Sequence, residues 1–351
     1  MEGSKLTLFE TCILFDERFT ELASLSLGFK TFMEMKDQRR WEDLNTDCLV
    51  NIFGKVGVDS LLLDVPFVCK TWFRASLDPS CWEFPTFPKL WTDSYIFDID
   101  YEDQDFNTFA DRCAYQYQVR PSLCTVASFV QFIVNRSRGY STSLRLPVYS
   151  SNEELRHIAD VCPGLKVLAL PRLVQTFNLN RILEIIGNWK YLETLFMADS
   201  FGMEKILSQI SICCKNFSCL HMFNTRISED EAMAIVSHLP KLKQLSLING
   251  HIGRDNLVKL LKGCKDLVLL DVRDCVGFDE GDAEILKLAS HITEFSCEGS
   301  KSADKYYRDN YEEYGESELS ADMYDFSEDE YGYYEDEYGY CEDISAFGEM
   351  Y

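Results

Sequence analysis

The residues with the chemistry to bind a metal or attack a substrate are five histidines and fourteen cysteines. None of His157, His221, His238, His251 and His291 stands at zinc-ligand spacing from a cysteine or another histidine, and no C-x-x-C pair occurs. The sequence has no G-x-x-x-x-G-K-[ST] to cradle a phosphate and no G-x-S-x-G to present a nucleophile. The acidic, aromatic stretch Asp93 to Asp105 imitates a cation loop but lacks the glycine and closing glutamate that an EF-hand requires. Cys162, Cys214 and Cys264 recur at one helical position, where a small apolar side chain serves a core. No catalytic residue, metal site or cofactor is expected, and the chemistry that remains is binding.

Binding residues need elements to hold them, and these are repeats. The pattern L-x-x-L-x-L begins at 165, 192, 217, 242, 267 and 292, and from 192 onward the step is 25 residues. Its members run from Leu165, Leu168 and Leu170 to Ile292, Phe295 and Cys297, with a weaker copy at Ser141, Leu144 and Leu146. A second register precedes each motif: sets such as Leu257, Leu260, Leu261 and Cys264 have the spacing of one helical face. Period 3.6 followed by period 2 predicts a helix and a short strand in every unit. Neither buries its apolar side alone, so the units must stack. The expected fold is α/β: a leucine-rich-repeat solenoid with a parallel concave sheet and convex helices over 121–300, opened by an apolar helix from Leu123 to Val134.

Charge bounds the partners. The formal net charge is −24, from 58 acidic against 34 basic residues, which disfavours nucleic acid. Residues 298–351 contribute 18 of the acids and only Lys301, Lys305 and Arg308. With almost no aliphatic residues, 301–351 is expected to be a disordered, acidic, Tyr-rich tail, and Ser327 its most acidophilic phosphorylation site. Residues 86–120 read as an acidic aromatic connector and 1–37 as an amino-terminal extension. No leader or membrane-spanning stretch is recognised, and cytoplasm or nucleus is the expected location.

Between the extension and the connector lies a helical block, 38–85. Asn45, Thr46 and Asp47 are helix-starting residues; Leu49, Ile52, Phe53 and Val56 follow on one face. Gly57 is placed to end that helix, and Gly54 within it should cost about 1 kcal/mol relative to Ala. Leu61, Leu62, Leu63 and Val65 form a second run and Phe67 to Leu77 a third. So few residues cannot bury so many large apolar groups, so some should stay exposed for a partner.

The strings WEDLNTDCLVNIF, from Trp41, and VCKTWFRASLDPSCW, from Val68, resemble an F-box. An F-box followed by leucine-rich repeats is similar to the plant F-box/LRR-repeat family. The resemblance covers roughly 40 to 300. It implies docking on a Skp-type adaptor, which bridges to cullin and a RING protein in an SCF ubiquitin ligase. On the matched positions, Leu44, Leu49, Ile52, Phe53, Leu61, Leu62, Val68, Cys69 and Trp72 would form the F-box core and adaptor face. Asn45 stands where the family usually has proline. The reading that follows is a non-catalytic substrate-recognition subunit; the alternative is a repeat scaffold without ligase association.

Counting from each motif start, the third, fifth and seventh residues project onto the concave face. Of these Phe196, His221, Phe223, Gln244, Asp271 and Arg273 are the expected contacts for a protein substrate. An apolar patch with a polar rim suits a protein contact. Basic residues there are too few for a multiply phosphorylated one.

Overall fold

The computed structural model describes residue 41 and residues 44–85, 109–146, 150–170 and 178–314. The expectations for 1–37, for Asp93 to Asp105 and for Ser327 lie outside them. The chain divides into two compact units, Met1–Ala303 and Asp304–Tyr351.

Among the described residues the first helices of this unit are α1 (Thr46–Phe53), α2 (Val58–Leu63) and α3 (Lys70–Ser76), with 3-10 turns at Val65–Phe67 and Pro79–Trp82. The Asn45 side chain accepts from the Cys48 N–H at 2.8 Å, so it caps α1. Gly54 is the C-cap of α1 rather than an interior residue, so the expected helix penalty does not arise. Gly57 instead N-caps α2.

Residues 109–120, expected as connector, contain α4 (Phe109–Gln116). Phe109, Cys113, Ala114 and Tyr117 are buried, a helical stripe that the acidic run before it obscured in the sequence. Tyr117 donates its hydroxyl to the Leu62 carbonyl and its ring lies 6.0 Å from Phe67, which fixes α4 to the amino-terminal block. The opening helix of the solenoid, α5 (Val126–Ser137), starts three residues later than expected because Pro121–Leu123 forms a 3-10 turn and Thr125 supplies the cap.

The repeats then follow: β1 (Ser143–Arg145), α6 (Asn152–Val161), β2 (Val167–Leu170), α7 (Leu179–Ile186), β3 (Thr194–Met197), α8 (Met203–Cys213), β4 (Cys219–Met222) and β5 (Arg226–Ile227). After these come α9 (Glu229–His238), β6 (Gln244–Ser246), β7 (His251–Ile252), α10 (Arg254–Gly263), β8 (Leu269–Asp271), α11 (Ala283–Ala289) and β9 (Glu294–Ser296). Seven strands form one parallel sheet in the order β1-β2-β3-β4-β6-β8-β9. Its register stacks the motif leucines: Leu144, Leu168, Leu195, Leu220, Leu245, Leu270 and Phe295 are successive partners. Helix-face residues such as Leu155, Ile185, Leu207, Ile235 and Leu260 are buried behind them. Leu286, on the last helix of the array, is the departure, at 44% exposed.

A third register, not read from the sequence, closes each turn. Asn224, Asn249, Asp274 and Gly299 recur every 25 residues, all with positive φ. Asn, Asp and Gly are the residues that tolerate this left-handed conformation. There the N–H of Asn224 donates to Ile248 O, that of Asn249 to Arg273 O and that of Asp274 to Glu298 O, one repeat to the next.

Block and repeats share one continuous core. Trp82, fully buried, donates its indole N–H to Ser76 O at 2.9 Å and meets Phe132 of α5 edge-on at 6.5 Å. The Ser141 hydroxyl donates to Trp82 O and the Thr142 N–H to Glu83 O, so the first repeat is hydrogen-bonded to the end of the block. The stretch expected to be a disordered tail contains α12 (Ala303–Tyr314), where Tyr306 and Tyr307 meet edge-on at 5.6 Å. Interrupting the acids with Lys305 and Arg308 leaves this stretch short of the charge density found farther on.

Candidate functional site

The nine residues of the helical block separate by burial. Leu49 and Phe53 of α1 and Leu61 and Leu62 of α2 are core. Leu44 and Trp72 are partly buried against that core, and Cys69 is intermediate. Ile52 and Val68 face outward, at 42% and 39% exposed. The helical period explains the split within α1: Leu49 and Phe53, four apart, share the inner stripe, while Ile52 turns to its edge.

Beside that edge is an open groove of about 250 Å³, lined by Trp41, Leu49, Ile52, Phe53 and Trp72. Trp72 packs edge-to-face on Phe53 at 5.1 Å and its indole N–H reaches Trp41 O at 3.4 Å. Every lining side chain is apolar or aromatic. Trp41 was not among the expected contacts; its signal was a large aromatic residue shortly before the helix cap, in a place where the core did not need it.

The concave residues also meet as the period-2 argument requires. Phe196, His221, Ser246 and Asp271 are direct partners across β3, β4, β6 and β8, and Gln244 lies in the adjacent row between Cys219 and Leu269. The Phe196 ring stacks on His221 at 4.4 Å with 12° between planes and lies parallel to Phe223 at 6.4 Å. His221 is only 4% exposed, so it backs the patch while the half-buried phenylalanines form its surface. Burial pushes its imidazole pKa down to about 4, against an opposing pull from Asp271, and keeps the ring neutral near pH 7.

Asp271 and Arg273 make the expected pair as a fork: Arg273 Nε donates to Oδ1 at 2.9 Å and Nη2 to Oδ2 at 2.8 Å. These bonds hold the guanidinium pKa above its usual value.

The buried thiols are not nucleophiles in waiting. Burial raises Cys214 and Cys264 to about 11 and Cys275 to about 12, leaving negligible thiolate near neutrality. Cys214 donates instead to Trp189 O, as Trp189 does to Cys162 O, linking successive repeats. Among the described residues no group of His, Cys, Asp and Glu could hold a metal ion, and no described helix is long and apolar enough to cross a membrane.

Fold and site together define a small helical block fused to a leucine-rich-repeat solenoid. Comparison with known proteins makes the class specific. The chain is 30% identical over 244 residues to an F-box/LRR-repeat protein of Arabidopsis thaliana, covering 68% of this chain and 73% of the relative. It is 25% identical to the F-box protein FBW2 of the same plant, over 68% of each chain, and 25% identical to the F-box protein SKIP19, over 69% of this chain and 72% of that one. No family model matches. The chain belongs to the plant F-box/LRR-repeat family.

Proposed function

We propose that this protein is the substrate-recognition subunit of an SCF-type E3 ubiquitin ligase, acting in the cytoplasm or nucleus. The groove beside α1 seats a Skp-type adaptor, which joins it to cullin and a RING protein, and the concave sheet holds a protein substrate. The observation that carries the reading is the groove itself. Trp41, at 52% exposed, and Ile52 stand side by side on it, outside the core that takes up Leu49, Phe53, Leu61 and Leu62, and Val68 and Phe84 are the other large apolar side chains of the block left exposed. Covering the exposed half of each such side chain is worth about 1 kcal/mol, which favours a partner there.

The chain supplies no reacting group in this scheme. Its contribution is to bring a substrate lysine and a charged conjugating enzyme into one complex, turning an encounter of two bodies into a local transfer. A fixed link between block and repeats, through Trp82 and the Ser141 and Thr142 bonds, suits that task.

Affinity purification of the full chain from plant extract, with and without proteasome inhibition, tests the proposal. Adaptor and cullin are expected in both samples and the substrate mainly in the inhibited one. Recovery of neither adaptor nor cullin would leave a repeat scaffold.

A further inference from the structure

We infer that the rim of the solenoid where each helix returns to its strand binds an acidic polypeptide segment. The rim adjoins the concave face, where Lys243 directly precedes Gln244, but its lysines are none of the residues assigned to the groove or the concave patch.

Lys166, Lys190, Lys215, Lys241, Lys243 and Lys265 all lie in the helix-to-strand turns before β2, β3, β4, β6 and β8, and all are exposed. Only Glu193 and Asp266 oppose them in those turns. On the other rim, where strands pass into helices, acids gather instead, among them Glu229, Asp230, Glu231, Asp255, Asp282 and Glu284. The helix macrodipole accounts for acids at helix starts and for Lys215 and Lys265, whose ammonium groups reach the last-turn carbonyls of Ser211 and Leu261. It does not account for Lys166 and Lys243, which stand beyond the helix at the mouth of a strand.

Lys166 pairs with Glu193 at 3.4 Å. Among the described residues Lys190, Lys241 and Lys243 form no ion pair, although the chain as a whole carries net charge −24. Lys166 and Lys243 stand one residue before β2 and β6, Lys241 three before β6, and Lys190, Lys215 and Lys265 four before β3, β4 and β8, so the lysines form a band along the rim whose four strand spacings of about 4.8 Å follow a line about 19 Å long. An extended peptide rises about 3.3 Å per residue, so roughly six residues match that line. A short acidic segment can follow it, whereas a long nucleic acid would meet the repulsion of the acidic body.

Fluorescence anisotropy of labelled octaglutamate with the full chain at low ionic strength tests the inference. Binding should appear and weaken with added salt. Joint replacement Lys190→Gln, Lys241→Gln and Lys243→Gln should weaken it about tenfold, and the corresponding Lys→Arg replacements should preserve it. Lys55→Gln, Lys205→Gln and Arg226→Gln together remove the same charge elsewhere and should leave binding unchanged. Absence of binding, an equal loss in that control, or oligouridine of the same charge bound as tightly as the peptide would each overturn the assignment.

Discussion

The groove of the helical block and the concave ladder of the repeats both present aromatic side chains, but they are held differently. In the groove, Trp41 and Ile52 stand at the edge of the helical block, with Trp72 and Phe53 as the floor and no polar lining. In the ladder, Phe196 and Phe223 lie parallel, backed by a neutral buried histidine and bordered by the Asp271 and Arg273 fork. A helix edge in a small domain has no neighbour to cover it, whereas a strand in a solenoid is half shielded by the strands beside it. In the proposed roles, the groove would draw on burial alone and the ladder would combine burial with polar selection.

Trp82 and the Ser141 and Thr142 bonds lock the two surfaces together. Trp82→Ala removes a fully buried indole and its bond to Ser76, and should cost about 3 to 5 kcal/mol measured by urea unfolding. A loss below about 1 kcal/mol would mean that the block is independent of the repeats. The paired changes Phe196→Ala and Phe223→Ala should leave adaptor binding intact and cost about 2 kcal/mol each in substrate binding if they are anchors. Unchanged substrate capture by the folded double variant would move that site elsewhere.

The buried histidine gives the ladder a pH signature that the groove lacks. His221 titrates near 6.5 when unfolded but at about 4 when folded, so the unfolded chain binds the extra proton first. Its stabilising contribution is complete above about pH 6.5, falls as pH drops through that window, and is gone below about 4. The loss amounts to about 3 kcal/mol by linkage. Unfolding curves for the protein and for His221→Gln should differ in slope between those limits; parallel slopes would contradict a buried neutral ring. The smallest effect is expected for Asn45→Pro. Asn45 already has φ −66°, the angle proline imposes, so the exchange should cost no more than the lost cap, about 1 kcal/mol, and leave the groove intact. A large drop in melting temperature would place strain at that position.

The repeat core was legible because leucines every 25 residues reveal both periods at once; Leu195, Leu220 and Leu245 pair as the spacing requires. The left-handed column was equally periodic but carried by Asn224, Asn249, Asp274 and Gly299, whose shared property is backbone tolerance rather than hydrophobicity. Helix α4 was missed because its three buried residues, Phe109, Cys113 and Ala114, are diluted by Asp111, Arg112 and Gln116. At the site, spacing identified which residues share a face, but not depth: Leu49 and Ile52 are alike in type, and only the packing of α1 against the rest of the block makes one core and the other surface. His221 shows the same limit, since its burial comes from strands on either side.

Adaptor binding through the groove is most directly tested with Ile52→Glu, which places a charge among Trp41, Phe53 and Trp72 while sparing the buried stripe of α1. The full chain and this variant would be titrated calorimetrically with a purified Skp-type adaptor after their melting temperatures are compared. The expected result is tight binding by the unchanged chain and at least a hundredfold loss in the variant at an unchanged melting temperature, since an unpaired carboxylate in an apolar interface costs several kcal/mol. Equal affinities for the two proteins would contradict the assignment of the groove.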